Sequence, residues 1–378
     1  MSSIVLENID KAYPGPVSAV RNLNLVINDG EFMVLLGPSG CGKTTTLRLI
    51  AGLETPDTGC VRIDGIDVTR LAPAKRNVAM IFQDISLYPH LTARKNLAFA
   101  LKLRKIPRPE IKSRIEQAVQ STAIADLLDR KPGEMSGGEC QRVALAAALA
   151  REPACLLLDE PLSNLDVTAR RKLRAELKTL HQQVVSTMLH VTHDQEEALI
   201  LADRIAIMHR GAIHQIGSPI ELYGRPVDRF VAGFLGNPPM NFIEGHIQAE
   251  NGQLLFRDNQ GFQIAPLSSF EGRPDTEIVI GVRPEHLRVL SCPDEAGASL
   301  AAEITLTEFI GDRMDIHARS EGGVELIARI PAESGISSVG EIIHLGFDLD
   351  HVHFFESGEN GKRLSDCGKP DGTNDSPV

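Results

Sequence analysis

The octapeptide Gly37-Pro38-Ser39-Gly40-Cys41-Gly42-Lys43-Thr44 constrains the fold more than any other stretch of this chain. It is a glycine, four residues, then Gly-Lys-Thr. Glycines let the backbone curl until several N–H groups point inward at phosphate oxygens. Lys43 adds a mobile positive charge for the β- and γ-phosphates, and the Thr44 hydroxyl suits Mg²⁺. Such a loop needs a buried strand before it and a helix after it. The apolar run 32–36 supplies the first. Residues 45–53 supply the second, with Leu47 and Ile50 three apart and Gly52 near the end. A helix N-terminus then faces the phosphates.

With 378 residues the chain is long enough for two to three domains. Its 42% hydrophobic and 24% charged content is that of ordinary globular material. No uninterrupted apolar run reaches the ~18–20 residues a bilayer span needs; the nearest, 143–150, is bounded by Arg142 and Arg151. Glu7 and Asp10 fall where a signal peptide needs a basic start and an apolar stretch. The expected location is the cytoplasm, unless another protein holds the chain at a membrane. A net charge of −11 argues against binding a nucleic-acid backbone or anionic lipid directly. The cysteines (Cys41, Cys60, Cys140, Cys155, Cys292, Cys367) form no CxxC, so reduced thiols are expected rather than a zinc site or disulfide framework.

Residues 1 to about 236 alternate strand-like runs (32–36, 78–82, 155–158, 188–192, 204–208) with helical patterns (111–119, 141–150, 168–184), which predicts α/β layering. In the last helix Leu173, Leu177, Leu180 and Val184 form one apolar stripe, with Arg and Lys opposite. Gly236-Asn237-Pro238-Pro239 breaks the pattern. Short β-rich runs follow at 254–256, 278–282, 314–317, 326–330, 342–347 and 352–355, predicting a small antiparallel barrel or sandwich. Residues 357–378 read as a polar, disordered tail.

The run Cys155-Leu156-Leu157-Leu158-Asp159-Glu160-Pro161 puts two carboxylates at the carboxyl end of a buried strand, where parallel sheets place ligands. Asp159 fits a Mg²⁺ partner, and Glu160 fits a general base for an attacking water. A strand ending in a solvated acidic turn reads equally well in isolation; beside a phosphate loop the chemical reading wins. Ser136-Gly137-Gly138-Glu139 has capping-box spacing. It also offers a second helix start able to hold an anion, and both roles are compatible.

These motifs together resemble the ATPase subunit of an ATP-binding cassette transporter. The resemblance implies a P-loop NTPase α/β domain over 1–236 with a helical subdomain at about 84–150. An all-β, OB-like regulatory domain would follow over 237–356. It implies ATP and Mg²⁺ as ligands, Tyr13 stacking on adenine, and Gly37, Pro38, Ser39, Gly40, Cys41, Gly42, Lys43, Thr44 and Thr45 around the phosphates. Ser136, Gly137 and Gly138 would close over the γ-phosphate from a second subunit, with Asp166 in a loop that crosses to it. Gln83 would sense Mg²⁺ and water beside Thr44 and Asp159. Lys43, Glu160 and the γ-phosphate-contacting His193 would carry catalysis; His190 reads as a structural strand residue. The family's usual signature is Leu-Ser-Gly-Gly-Gln; here Met135 and Glu139 replace its ends, and Glu139 brings a carboxylate near a triphosphate, which is expected to weaken site closure.

The segments Leu87-Tyr88-Pro89-His90-Leu91-Thr92 and Gly281-Val282-Arg283-Pro284-Glu285-His286 are similar to those of carbohydrate and glycerol-phosphate importer ATPases. The expected partners are a second copy of the chain, two integral-membrane permease subunits reached through residues 84–96, and an extracytoplasmic solute-binding protein. Nucleic acid is not expected. The expected place is the cytoplasmic face of the inner membrane. Polyamine, iron or sulfate import remains an alternative, as does a cassette protein working on ribosomes or DNA; a GTPase is disfavoured by the missing Asn-Lys-x-Asp motif.

Overall fold

A computed structural model describes residues 3–15, 18–184, 186–250, 253–258, 262–264, 274–290, 299–334 and 338–364. They form two compact units, Met1–Leu222 and Tyr223–Val378. This division precedes the Gly236–Pro239 break taken from the sequence as the boundary.

The first unit is built on a six-stranded sheet in the order 212–217, 204–209, 32–36, 187–192, 155–159, 78–81. All neighbours are parallel except the edge strand Ala212–Gly217. Phe32–Leu36, Cys155–Asp159 and Thr187–Thr192 are buried throughout, as strands covered on both faces must be. The order matters for function. Phe32–Leu36, Thr187–Thr192 and Cys155–Asp159 are adjacent, with Leu36 opposite Thr192 and Val191 opposite Asp159. Three sequence-distant motifs therefore leave the sheet side by side at its carboxyl edge.

A second sheet of four antiparallel strands, ordered 18–27, 4–12, 58–63, 66–67, went unrecognised in the sequence. Register shifts interrupt its alternation, and Asn8 and Asn22 sit at φ 50° and 40°. The helix Lys43–Ala51 shares one core with both sheets through Leu47, Leu49, Ile50 and Ala51. Burying each such leucine contributes about 1.5–3 kcal/mol. Gly52, at φ 78°, ends this helix in the left-handed conformation that glycine takes without strain. The helices Ala93–Leu103, Arg108–Thr122 and Gly137–Leu149 pack on one another within the span expected for a helical subdomain.

The second unit holds two five-stranded antiparallel sheets, ordered 263–264, 253–258, 241–250, 277–282, 353–356 and 287–290, 342–347, 299–309, 313–320, 325–331. Their inward residues, among them Ile247, Phe256, Ile280, Ile304, Ile316 and Leu345, make one core. Arg283 is buried beside that core, against residues 223–235; its guanidinium donates to the carbonyls of Ala232, Leu235 and Tyr223 and lies over the Tyr223 ring, 3.9 Å from its centroid. The tail expected from 357 onward starts in an ordered stretch: Lys362 bridges Asp228, and Arg363 bridges Phe355. Those backbone pairings hold polar residues that composition alone assigns to disorder. Residues 365–378 lie outside the described residues. Among the described residues Cys41, Cys60 and Cys140 are free thiols and Cys155 is buried in its strand; Cys292 and Cys367 lie outside them.

Candidate functional site

The phosphate loop is wedged in place by backbone. A Cβ on Gly37 would lie 2.2 Å from the Met208 carbonyl oxygen, and one on Gly42, at φ 108°, would lie 2.3 Å from that of Ala19. Gly211 N–H donates to the Cys41 carbonyl (3.0 Å), and Arg21 N–H to the Gly211 carbonyl (2.8 Å). The turn after Arg204–His209 thus braces the loop from behind. Pro38, Ser39, Gly40 and Cys41 line an open cleft of about 620 Å³ together with Arg21, His209 and Arg210. Lys43 is 4% exposed, and its Nζ donates to the Gly37 (2.7 Å) and Pro38 (2.9 Å) carbonyls across the loop mouth. Burial pushes the Cys41 thiol up, against the pull of Lys43, so it is a packing residue rather than a nucleophile. Thr45 lies one residue further into the helix.

Asp159 arrives from the neighbouring region of the sheet, and the Thr44 hydroxyl donates to its Oδ1 at 3.0 Å. Burial raises the Asp159 carboxyl above the usual carboxylate range despite that bond. A buried carboxylate beside a hydroxyl fits Mg²⁺, which takes one or two protein oxygens and leaves its other positions to phosphate and water. Gln83 is exposed; its carbonyl accepts from Asn164 Nδ2 at 3.3 Å, and among the described residues its side chain does not bond Thr44 or Asp159.

Glu160 turns out of the strand at φ 45°, a left-handed conformation uncommon outside glycine and costly to hold. Its N–H donates to the Val191 carbonyl (3.0 Å), and its carbonyl accepts from Ser163 N–H (3.2 Å) and Oγ (2.9 Å). This turn aims the carboxylate at His193, whose Nδ1 lies 3.1 Å from Glu160 Oε1. His193 is 54% exposed at its side chain, open to a ligand. His190 is fully buried and meets Glu197 (3.2 Å), which also accepts from Thr192 Oγ1 (2.8 Å). Burial works to raise the Glu197 carboxyl, but the His190 and Thr192 bonds win and lower it. His190 is therefore a structural anchor under the turn that carries His193.

Ser136 caps Gly137–Leu149 as its spacing predicts. Its Oγ accepts from Glu139 N–H (3.3 Å), and Glu139 Oε2 accepts from Ser136 N–H (2.7 Å). These bonds lower the Glu139 carboxyl. The helix starts earlier than the 141 read from periodicity, because the cap recruits both glycines into its first turn. Positions 137 and 138 lie against Leu165 and Ala169, at 3.4 and 3.6 Å from an added Cβ. Asp166 caps Val167–Gln183, accepting from Ala169 N–H at 2.9 Å. Tyr13 is 38% exposed beyond the strand Ile4–Ala12, with Lys11 Nζ 5.6 Å from its ring centroid; it is not among the residues lining the cleft.

The single chain thus brings Lys43 and Thr44 to Asp159, and Glu160 to His193, while Tyr13, Gln83, the Ser136–Gly138 helix start and Asp166 stand on separate segments. The ABC transporter family model matches residues 20–163, the MalK OB fold domain model 236–287 and the TOBE domain model 280–355. The sn-glycerol-3-phosphate import ATP-binding protein UgpC of Brucella abortus is 41% identical over 370 residues, covering 97% of this chain and 100% of that protein. The chain belongs to the ABC transporter family. It is an ABC ATPase. Other ABC relatives include the trehalose/maltose import ATP-binding protein MalK of Thermococcus litoralis, 43% identical over 94% of this chain and 98% of that one. The sulfoquinovosyl glycerol transport ATP-binding protein SmoE of Agrobacterium fabrum is 42% identical over the same shares. Among solved structures, the dimeric post-hydrolysis state of the cassette MJ0796 bound to ADP and Pi matches with TM-score 0.51 and 32% identity, covering 57% of this chain and 98% of that one.

Sequence reading overlooked two braces of this ABC site, the Ala19 carbonyl and the Gly211 turn, because backbone oxygens leave no trace in a sequence.

Proposed function

We propose that this chain is the ATP-hydrolysing subunit of an importer for a sugar or a related polyol or glycerol-phosphate. The observation that carries the reading is near-full-length similarity to proteins named for glycerol-phosphate, trehalose/maltose and sulfoquinovosyl glycerol import. Residues 1–236 would bind and hydrolyse ATP, and 237–356 would form a regulatory β domain. Two copies would pair head to tail, each ATP lying between Lys43 and Thr44 of one and Ser136, Gly137 and Gly138 of the other. The capped, glycine-lined helix start supports that role, since its free N–H groups and dipole favour an anion. Two membrane permeases and an extracytoplasmic solute-binding protein would complete the machine at the cytoplasmic face of the membrane. Among the described residues no helix is long and apolar enough to cross a membrane.

Hydrolysis on this reading is positioning plus electrostatics. Lys43 and the loop N–H groups hold the phosphates. Glu160 accepts a proton from the attacking water, and His193, 3.1 Å away, holds that carboxylate and the terminal phosphoryl. Thr44 and Asp159 would hold Mg²⁺, which when bound offsets charge on the phosphate oxygens. Tyr13 would stack on adenine and Gln83 would report the state of the metal and water. The test is uptake by a strain lacking this chain. Loss of labelled glycerol-phosphate, maltose or trehalose uptake, restored by the wild-type chain but not by Lys43→Ala, is expected. Intact uptake of all of them, with loss of polyamine, iron or sulfate uptake, would replace the solute class.

A further inference from the structure

Arg170 lies in the polar face of Val167–Gln183, yet its guanidinium is turned back onto the preceding loop. Nε donates to the Leu162 carbonyl (3.3 Å), and a terminal nitrogen reaches those of Leu165 (3.2 Å) and Ser163 (3.5 Å). The other terminal nitrogen faces Asp194 Oδ2 at 3.9 Å. These contacts close a ring. Ser163 donates to the Glu160 carbonyl, Arg170 to the Ser163 carbonyl; Asp194 follows His193, and His193 meets Glu160. We propose that Arg170 is a positioning residue for hydrolysis: it clamps the loop after Glu160 and faces the turn after His193, so that base and histidine stay in register.

The chemistry selects arginine. Residues 162, 163 and 165 present carbonyls in an irregular turn, and only a planar fork with five N–H donors can serve them together. A lysine has one nitrogen and cannot span them. The Asp194 pair is long, and both side chains are about a third exposed (33% and 29%), so it is the weaker arm. Asp194 also spends Oδ1 on the N–H groups of Glu196 (2.8 Å) and Glu197 (3.2 Å), which fixes the histidine's turn independently. The carbonyl clamp is thus where Arg170 acts, and a shift of about 1 Å at a reacting group can cost 10²-fold in rate.

The inference deepens the ATPase reading and rests on it. Full-length Arg170→Lys, Arg170→Ala and Asp194→Asn are compared with wild type for ATP kcat, ATP KM and melting temperature. Arg170→Lys and Arg170→Ala are expected to lower kcat by about 10–100-fold with KM within about threefold, because the contacts of Arg170 go to residues 162, 163, 165 and 194 and not to the phosphate loop. Asp194→Asn, which keeps the cap, should stay within about threefold. Adding Arg170→Ala to Glu160→Gln should cost almost nothing further, since the group it positions is already disabled. An unchanged kcat in a folded Arg170→Lys protein, or losses that multiply in the double variant, would overturn the proposal. A wild-type chain with no turnover would overturn the ATPase reading and the inference with it.

Discussion

His193 Nδ1 and Glu160 Oε1 meet at 3.1 Å, although the two residues leave the sheet from different strands. A carboxylate so held is aimed before the water arrives. Glu160→Gln is expected to lower ATP turnover by about 10²–10⁴-fold while ATP-dependent pairing survives, seen by size-exclusion chromatography with and without nucleotide. His193→Ala is expected to cost about 10²–10³-fold. The double variant should be no worse than Glu160→Gln alone, because the two act as one unit. Wild-type turnover in Glu160→Gln would remove the base assigned here.

Asp159 opposes the fold when no cation is near. Burial raises its carboxyl pKa, so ionisation at neutral pH destabilises the native state, and stability is regained as pH falls through the raised value. Asp159→Asn is therefore expected to melt higher than wild type in metal-free buffer. It should also lose the stabilisation that added Mg²⁺ and ATP give the wild type. Differential scanning calorimetry with and without Mg²⁺ reads both.

Glu139 carries a charge where the signature usually has an amide. Its carboxylate accepts from Ser136 N–H, a bond that glutamine can also make. Glu139→Gln should keep the helix cap and raise turnover at least about threefold, which needs only ~0.7 kcal/mol at the barrier. An unchanged rate would mean that the cap already keeps that charge from the phosphate.

His353 gives the second unit an acid limit. Burial, with the charges of Arg363 and Arg283 nearby, lowers its pKa from 6.5 to about 3. The unfolded chain then binds a proton that the folded one refuses, so stability falls as pH drops from about 6.5 towards 3, by up to ~1.4 kcal/mol per pH unit. His353→Phe should flatten that slope in urea melts between pH 7 and 5. An equally steep slope would place the sensitivity elsewhere.

Gly42 tests the wedge. Gly42→Ala combines φ 108° with a Cβ 2.3 Å from the Ala19 oxygen and should abolish nucleotide binding. Gly65→Ala, at φ 72° with open space around it, carries only the backbone penalty of about 1–2 kcal/mol and should bind ATP normally. Fluorescent-nucleotide titration of the two variants separates loop closure from general strain.

Local signals were legible from the chain. Residues 37–44, the four apolar residues before Asp159 and the Ser136–Glu139 spacing each encode their geometry within a few positions, and each folds as read. The meeting of Thr44 with Asp159, and of Glu160 with His193, depends on strand order, which the sequence does not spell out. The sheet containing Ile4–Ala12 and Ser18–Ile27 was missed because bulges and left-handed asparagines break its alternation. Arg170 was hidden for another reason: helical periodicity reports which face a side chain leaves from, not where a long one bends back.

The Ala19 oxygen touches the place of a Cβ on both Gly42 and Gly211, and its neighbour Ser18 pairs with Ala12, adjoining Tyr13. On the proposed assignment of Tyr13, the aromatic platform and the phosphate seat are parts of one stiff casting. Such a site works as a fixed gauge. It admits ligands by the span from ring to first phosphate and leaves the lettering of the base loosely policed.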